Sequence, residues 1–322
     1  MMKRVVATEI SSDPASVISI VESPIPEPTP GFVRVNVRAA SLNQHDLWSI
    51  KGVGTTAEQF PLGVGSDIAG VTDDGREVIV HSLFSPTPSG PGGELLDPHR
   101  TMLAETSTGG VAECVLVPER NLVDKPAELD FVSAAALPTA WLTAYRMLFT
   151  AGGARPGDTV LVQGSGGGVA TALISLAVAA GIRVWVTGRD DSRLERARTL
   201  GAHATFTAGA RLPERVNIVL ETVGEATFEH SVRSVRPGGR IVVAGATTGS
   251  RVNIDLNRIF LNHVSIVGTS LGSIDDLRAL VGFVVQSGIR PLVDSTYAVD
   301  DVAAAVARLA GGEAVGKIVI TL

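Results

Sequence analysis

Apolar and polar positions keep two different rhythms along this chain. Up to about residue 127 they alternate over short runs. "FVRVNVRAA" holds a period of two, and "GREVIV" and "AECVLVP" are further strand-like stretches. The turn-rich segments "SPIPEPTPG" and "SPTPSGPGG" separate such runs, and the second predicts a mobile loop. This half predicts a β-rich, barrel-like domain. From about residue 131 the rhythm lengthens. "FVSAAALPTAWLTAYRMLF" predicts a helix kinked or split at its proline, which removes an intrahelical hydrogen bond. Strands and helices then alternate: "TVLVQ", "VATALISLAVAAG", "IRVWVT", "SRLERARTLGA", "ATF", "VNIVLET", "ATFEHSVRSV", "RIVVAG" and "VSIVGTS". Two more helices, "IDDLRALVGFVVQSG" and "VDDVAAAVARLAGG", and a closing strand "GKIVITL" complete the chain. Alternation with short connections predicts an α/β fold with a doubly wound parallel sheet.

Composition narrows the picture. The 322 residues suit two domains, and their formal net charge of −6 comes with scattered basic residues. A nucleic-acid surface needs clustered Lys and Arg, so no nucleic-acid partner is expected. The single cysteine, Cys114, rules out an intrachain disulfide and a cysteine-rich zinc lobe. No signal peptide or membrane span is predicted, which implies a soluble, cytoplasmic protein.

The richest local pattern is "VQGSGGGVA", residues 162–170, between a strand and a helix. It nearly fits G-x-G-x-x-G, but the frame from Gly164 ends on Val169 and the frame from Ser165 runs through Gly167 to Ala170. Glycines in such a turn permit positive φ and close approach of backbone N–H groups to a pyrophosphate. The helix N-terminus adds partial positive charge. Ala170 is the smallest substitute for the packing glycine. Gly164, Ser165, Gly166, Gly167, Gly168 and Val169 are therefore candidate dinucleotide contacts, the other reading being a small-residue turn with no ligand.

The following strand refines the ligand. An NAD site usually closes it with an acid for the ribose hydroxyls; here the position is Gly188, followed by Arg189. A small residue plus an arginine suits a 2′-phosphate, with Arg193 one turn further on in support. NADP(H) is the expected cofactor. Asp190 or Asp191 reaching the ribose, with Arg189 merely solvated, is the alternative. Ser192 and Glu195 predict a capping box at the next helix start.

Taken together, "AASLNQHDLWSIKG", "PLGVGSDIAGV", "TGGVAECVLVPERNLVDKP", "AAALPTAWLTAYRML", the glycine turn, "ETVG", "GGRIVVAGATTG" and "GKIVI" give a resemblance over essentially the whole length. The chain resembles the medium-chain dehydrogenase/reductase superfamily, in its zinc-free quinone oxidoreductase-like branch. The resemblance implies a GroES-like catalytic domain over residues 1–127, completed by 271–322. It implies a Rossmann NADP-binding domain over 128–270, with the active site in the cleft between the two. Where zinc-dependent relatives carry metal ligands, this chain has Asn43, Ser66, Asp67 and Thr139. Asn, Ser and Thr are poor zinc ligands, so no metal is expected.

Without a Lewis acid, hydride transfer to a quinone, enone or similar activated alkene is the expected reaction, with donors stabilising the developing oxyanion. Asn43 is the first candidate donor or else a loop cap. His45 is a candidate proton donor or else a solvated histidine. Asp46 is expected to hold backbone or Asn43, and Thr139 or His45 to serve a relay if the reaction is alcohol or aldehyde oxidoreduction. Trp48 stands where related reductases often have a tyrosine and is suited to walling an apolar substrate; Trp141 reads as core. The resemblance further implies Thr143 near the nicotinamide, Val223 and Gly224 beside the adenosine half, and Gly245 and Ala246 at the nicotinamide end. It also places Thr269 and Ser270 at the carboxamide. Lys317 reads as a cofactor-side lysine or a surface charge. Pairing of the "VSIVGTS" strand across a two-fold axis implies a homodimer. A non-catalytic NADPH-binding, redox-sensing protein is the rival from another class. A methyltransferase is disfavoured because Gly188 offers no acid for a ribose.

Overall fold

The computed structural model describes residues 1–106 and 108–322. It divides into two compact units, Met1–Ala140 with Ser273–Leu322, and Trp141–Gly272.

The first unit is organised on one long strand, Phe32–Leu42, whose alternating residues put Val35, Val37, Ala40 and Leu42 into the core. It changes partners along its length. Its first half pairs antiparallel with Cys114–Pro118, its middle with Asp67–Thr72, and Ala39–Leu42 with the C-terminal strand Lys317–Thr321. A register irregularity between Val37 and Ala39 accompanies the change. Lys317–Thr321 lies parallel to Val293–Ala298, a strand the hydrophobic pattern alone did not separate from its flanks. Helix Val302–Ala310 buries Val302, Ala305, Val306 and Leu309, an i, i+3, i+4, i+7 stripe, against the same core.

The second unit carries the expected parallel sheet of six strands. Its strands are Thr159–Gln163, Arg183–Gly188, Ala204–Thr207, Val216–Glu221, Val235–Val243 and Ser265–Gly268. In space they run third, second, first, fourth, fifth, sixth, all pairs parallel. This is the Rossmann order, in which the crevice opens where the first and fourth strands adjoin. Helix Gly168–Ala179 is buried from Ala170 to Ala177, which explains why its sequence is apolar all round.

Three expectations change. The run around Pro138 is divided into helix Phe131–Ala135, a π segment Leu137–Trp141, helix Leu142–Tyr145 and a second π segment Arg146–Ala151. The first unit extends to Ala140 instead of stopping near residue 127, because helix Phe131–Ala135 packs on strands Phe32–Leu42 and Asp67–Thr72. The Gly/Pro-rich loop expected to be mobile is pinned. Asp97 accepts from Ser85 Oγ at 2.5 Å, Thr87 N at 3.1 Å and His99 N at 2.9 Å, while Glu94 accepts from Ile274 N at 2.8 Å. Hydrogen bonds from Ser85, His99 and Thr87 hold the Asp97 carboxyl at about 2. Among the described residues, no helix is long and apolar enough to cross a membrane.

Candidate functional site

In the second unit the candidate cofactor residues gather at the carboxyl ends of the parallel strands. Gly164 has φ +89°, so the turn there requires glycine. Gly167 caps helix Gly168–Ala179 with no side-chain cap, and a Cβ on it would meet open space, leaving the first helical N–H groups accessible. A Cβ on Gly166 would sit 2.8 Å from Arg193 Cδ and 3.2 Å from its Nε, so the arginine lies across the glycine turn. Gly188 is tighter still. A Cβ there would overlap Ser165 Oγ and approach Leu194 Cδ2 at 2.9 Å. The small residue at 188 is thus a packing requirement in its own right. Arg189 is exposed.

The helix cap here differs from the expected one. Asp190, not Ser192, caps helix Asp191–Thr199, its carboxylate accepting from Arg193 N at 2.9 Å and Ser192 Oγ at 2.6 Å. Glu195 pairs with Arg198 at 2.6 Å instead of closing a box. Asp190 is therefore committed locally.

Val223 and Gly224 complete the crevice floor. A Cβ on Gly164 would meet Val223 Cγ2 at 3.4 Å, and one on Gly224 would meet Ala246 Cα at 2.9 Å. Gly245 likewise crowds Thr222 O at 2.9 Å, so glycine is needed where the two turns touch. Thr143, 7% exposed, lies on a helix packed against Gly168–Ala179. Thr269 N donates to Val243 O at 2.9 Å and its hydroxyl accepts from Arg146 Nε at 3.0 Å; Ser270 is exposed.

A buried polar chain that the sequence did not reveal ties these ends together. Thr187 Oγ1 donates to Gln163 Oε1 at 2.5 Å, and Gln163 Nε2 donates to Ser231 Oγ at 2.9 Å and His230 Nδ1 at 2.9 Å. Ser231 Oγ donates to Glu221 Oε2 at 2.6 Å, and Glu221 Oε1 accepts from Val223 N at 2.8 Å and Gly224 N at 3.0 Å. Three loop ends share one network, which fixes their spacing.

In the first unit, Asn43, Asp46, Asp67 and Lys317 form a second buried cluster. Asn43 is the N-cap of helix Gln44–Ile50, with Asp46 closing the capping box by accepting from Asn43 N at 2.6 Å. Asp46 Oδ1 accepts from Gly65 N at 3.0 Å, fastening the helix to the next loop. Burial pushes the Asp46 carboxyl up to about 6, against the opposing charge of His45 and the backbone hydrogen bond of Asn43. Asp46 therefore holds the backbone of Asn43 and Gly65.

Lys317 is only 2% exposed. Its ammonium donates to Leu42 O at 2.8 Å, Asn43 Oδ1 at 2.6 Å and Asp67 Oδ2 at 3.1 Å. All three donors are used, so the expected cofactor contact and the surface-charge alternative are both replaced by this cluster. Asp67 Oδ2 also accepts from Asn43 Nδ2 at 2.9 Å and Ser41 Oγ at 2.9 Å, while Asp67 Oδ1 has no partner among the described residues. A zinc ion does not fit this donor set. An ammonium already lies on Asp67 and Asn43, and the remaining positions are the hydroxyls of Ser66 and Thr139. Thr139 Oγ1 stands 3.3 Å from Ser82 Oγ, with no hydrogen bond to the cluster.

His45 is brought to an unexpected partner, Glu105, sixty positions away. Nε2 lies 3.0 Å from Glu105 Oε1 and Nδ1 lies 3.4 Å from Ser49 Oγ; each side chain of the ion pair is 29% exposed. Burial lowers the imidazole pKa, but the hydrogen bond to Glu105 and the charges of Asp46, Glu105 and Asp67 outweigh it and raise the pKa above its ordinary value. Trp48 is 36% exposed three places along the same helix, and Trp141 is fully buried.

Residues 168–286 match a family described as zinc-binding dehydrogenase, and residues 29–127 match the alcohol dehydrogenase GroES-like domain. A zinc-type alcohol dehydrogenase-like protein of Schizosaccharomyces pombe is 30% identical, over 91% of this chain and 91% of its own length. A crotonyl-CoA reductase of Streptomyces collinus is 28% identical, over 90% of this chain and 78% of its own. A solved structure of an NAD-dependent alcohol dehydrogenase superposes with TM-score 0.92 at 31% identity, covering both chains completely.

Proposed function

The chain belongs to the medium-chain dehydrogenase/reductase superfamily, in its zinc-type alcohol dehydrogenase-like branch, and we propose that it is an NADPH-dependent, zinc-independent reductase of an activated alkene. The substrate class is an enone, enoyl thioester or quinone. The observation that carries the reading is the buried Lys317–Asp67–Asn43 cluster, in which an ammonium stands on Asp67 and Asn43 where a metal would have to, leaving the Asn43 amide and the His45 ring to act on a substrate. The crotonyl-CoA reductase relative supports the alkene.

NADPH, when bound, supplies the hydride. The glycine turn fits such a group: Gly164 and Gly166 admit close backbone approach, Gly167 leaves the helix N-terminus open, and Gly188 keeps a carboxylate away. Arg193 across the turn and Arg189 beside it are assigned to the 2′-phosphate. Thr143, Gly245, Ala246, Thr269 and Ser270 are assigned to the nicotinamide half.

Asn43 donates an amide N–H to the substrate carbonyl oxygen, where negative charge develops. His45 is the proton source. With Nε2–H held on Glu105, a second proton on the ring is at Nδ1, facing the Ser49 hydroxyl. The alcohol or aldehyde reading is favoured by the similarity to the NAD-dependent alcohol dehydrogenase and to the zinc-type alcohol dehydrogenase-like protein.

We also assign a homodimer surface to the edge strand Ser265–Gly268. It has an unpaired side, and Leu256, Phe260, Leu261 and Ile266 nearby are exposed. The experiment that tests the function is turnover of NADPH and NADH against enones, enoyl thioesters, quinones, aldehydes and alcohols. Alkene reduction favouring NADPH is expected; activity confined to alcohols and aldehydes refutes the reading.

A further inference from the structure

A buried ion pair is a poor device for stability, because desolvating both charges costs about as much as their attraction returns. The Asp67–Lys317 pair is fully enclosed, at 0% and 2% side-chain exposure, and one Asp67 oxygen has no hydrogen-bond partner among the described residues. Such an imperfectly satisfied pair calls for an account beyond packing.

Its geometry offers one. Lysine can only donate and an ionised aspartate can only accept, so the two together fix the orientation of the Asn43 amide: oxygen towards Lys317 Nζ, nitrogen towards Asp67 Oδ2. The Lys317–Asn43 contact is 2.6 Å, short for a nitrogen donor and charge-assisted. An ammonium on a carboxamide oxygen draws electron density from nitrogen through amide resonance, which makes the N–H groups stronger donors. One Asn43 N–H is committed to Asp67; the other has no partner within the cluster.

We propose that Lys317 is a positioning residue that orients the Asn43 carboxamide and polarises it, so that the second Asn43 N–H is a strengthened donor to the substrate carbonyl oxygen. The proposal rests on the alkene-reductase reading for its substrate, but the Lys317–Asn43 coupling stands on geometry alone. Leu42 O and Asp67 Oδ2 complete the ammonium's hydrogen bonds and keep it from the substrate itself. Its effect is therefore routed through Asn43.

The test uses the neutral pair Asp67→Asn/Lys317→Met, which avoids stranding one buried charge, beside Lys317→Arg and Asn43→Ala. Near-UV circular dichroism and NADPH affinity establish that each variant is folded and binds cofactor. The neutral pair is expected to lower kcat on an enone about 10- to 100-fold, with KM for NADPH unchanged. Lys317→Arg should retain most of the rate. In an Asn43→Ala background the neutral pair should cost nothing more, because its effect passes through that amide. An unchanged kcat, or losses that multiply independently, overturns the proposal. A second readout needs no turnover: the Asn43 side-chain amide proton resonance in protein labelled with ¹⁵N-asparagine. It should move upfield in the neutral pair and stay near its wild-type position in Lys317→Arg. If the wild type reduces no alkene, the function falls while this resonance still decides the coupling; an unmoved resonance overturns it.

Discussion

Replacing Gly188 with aspartate separates two reasons for the missing acid. If the position only avoids repelling a 2′-phosphate, Gly188→Asp alone should exchange NADPH for NADH preference. The structure adds a packing constraint: a Cβ at 188 overlaps Ser165 Oγ and lies 3.0 Å from Ser165 Cβ and 2.9 Å from Leu194 Cδ2. Overpacking of this kind costs about 1–3 kcal/mol. The single variant should therefore be destabilised by that amount and bind both nucleotides poorly, since relief requires the glycine turn to move. Ser165→Gly removes the hydroxyl and its Cβ, leaving only the flexible end of Leu194. The double variant should recover most of the stability and gain NADH. Its loss for NADPH follows from charge: a carboxylate about 6 Å from a phosphate charge at an effective dielectric of about 20 costs about 3 kcal/mol, on the order of 100-fold, and less at high salt. Urea unfolding gives the stability and cofactor fluorescence titration the affinities. A Gly188→Asp protein of wild-type stability that binds NADH well would refute the packing argument.

Glu105→Gln removes a partner that raises the His45 pKa. Activity that needs the protonated ring is present below that pKa and lost above it, so the alkaline limb of kcat/KM should move to lower pH; an unshifted limb removes His45 as the acid. Asp46 titrates near 6 when folded, above its unfolded value of 3.8. Its contribution to stability is complete below about 4 and is lost as pH rises through 6, about 3 kcal/mol in all. Asp46→Asn should flatten that part of a stability-versus-pH curve. Phe260→Glu places a charge on the exposed apolar surface beside the edge strand; if that surface is the proposed dimer interface, light scattering should report a dimer for the wild type and a monomer for the variant, and equal masses refute the assignment.

What was legible in the sequence was whatever the backbone encodes locally. The glycine turn, the strand–helix alternation and the small residue at 188 all act over a few positions, and the sheet order followed from their succession. What was hidden depends on distant meetings. Nothing near His45 names Glu105, and nothing near Asn43 names Lys317, which arrives on the C-terminal strand paired beside it. The Ser192–Glu195 box failed because Asp190, a stronger acceptor placed just before the helix, reached Arg193 N first. Glu221 could have been suspected as an acid in an apolar strand, but its role needed the turn it folds back upon.

The long strand Phe32–Leu42 also has a consequence for the order in which the chain can fold during synthesis. Its register partner Lys317–Thr321 follows 275 positions after Leu42, so this strand waits for a segment translated much later before its sheet is complete. The second unit draws all six of its strands from one unbroken stretch, Trp141–Gly272, and meets no such delay. Emerging from a ribosome, the middle of this chain can reach its native topology while both flanks are still looking for each other. During that interval the seam at Ala39–Leu42 is an open edge, next to the residue that caps the candidate active-site helix.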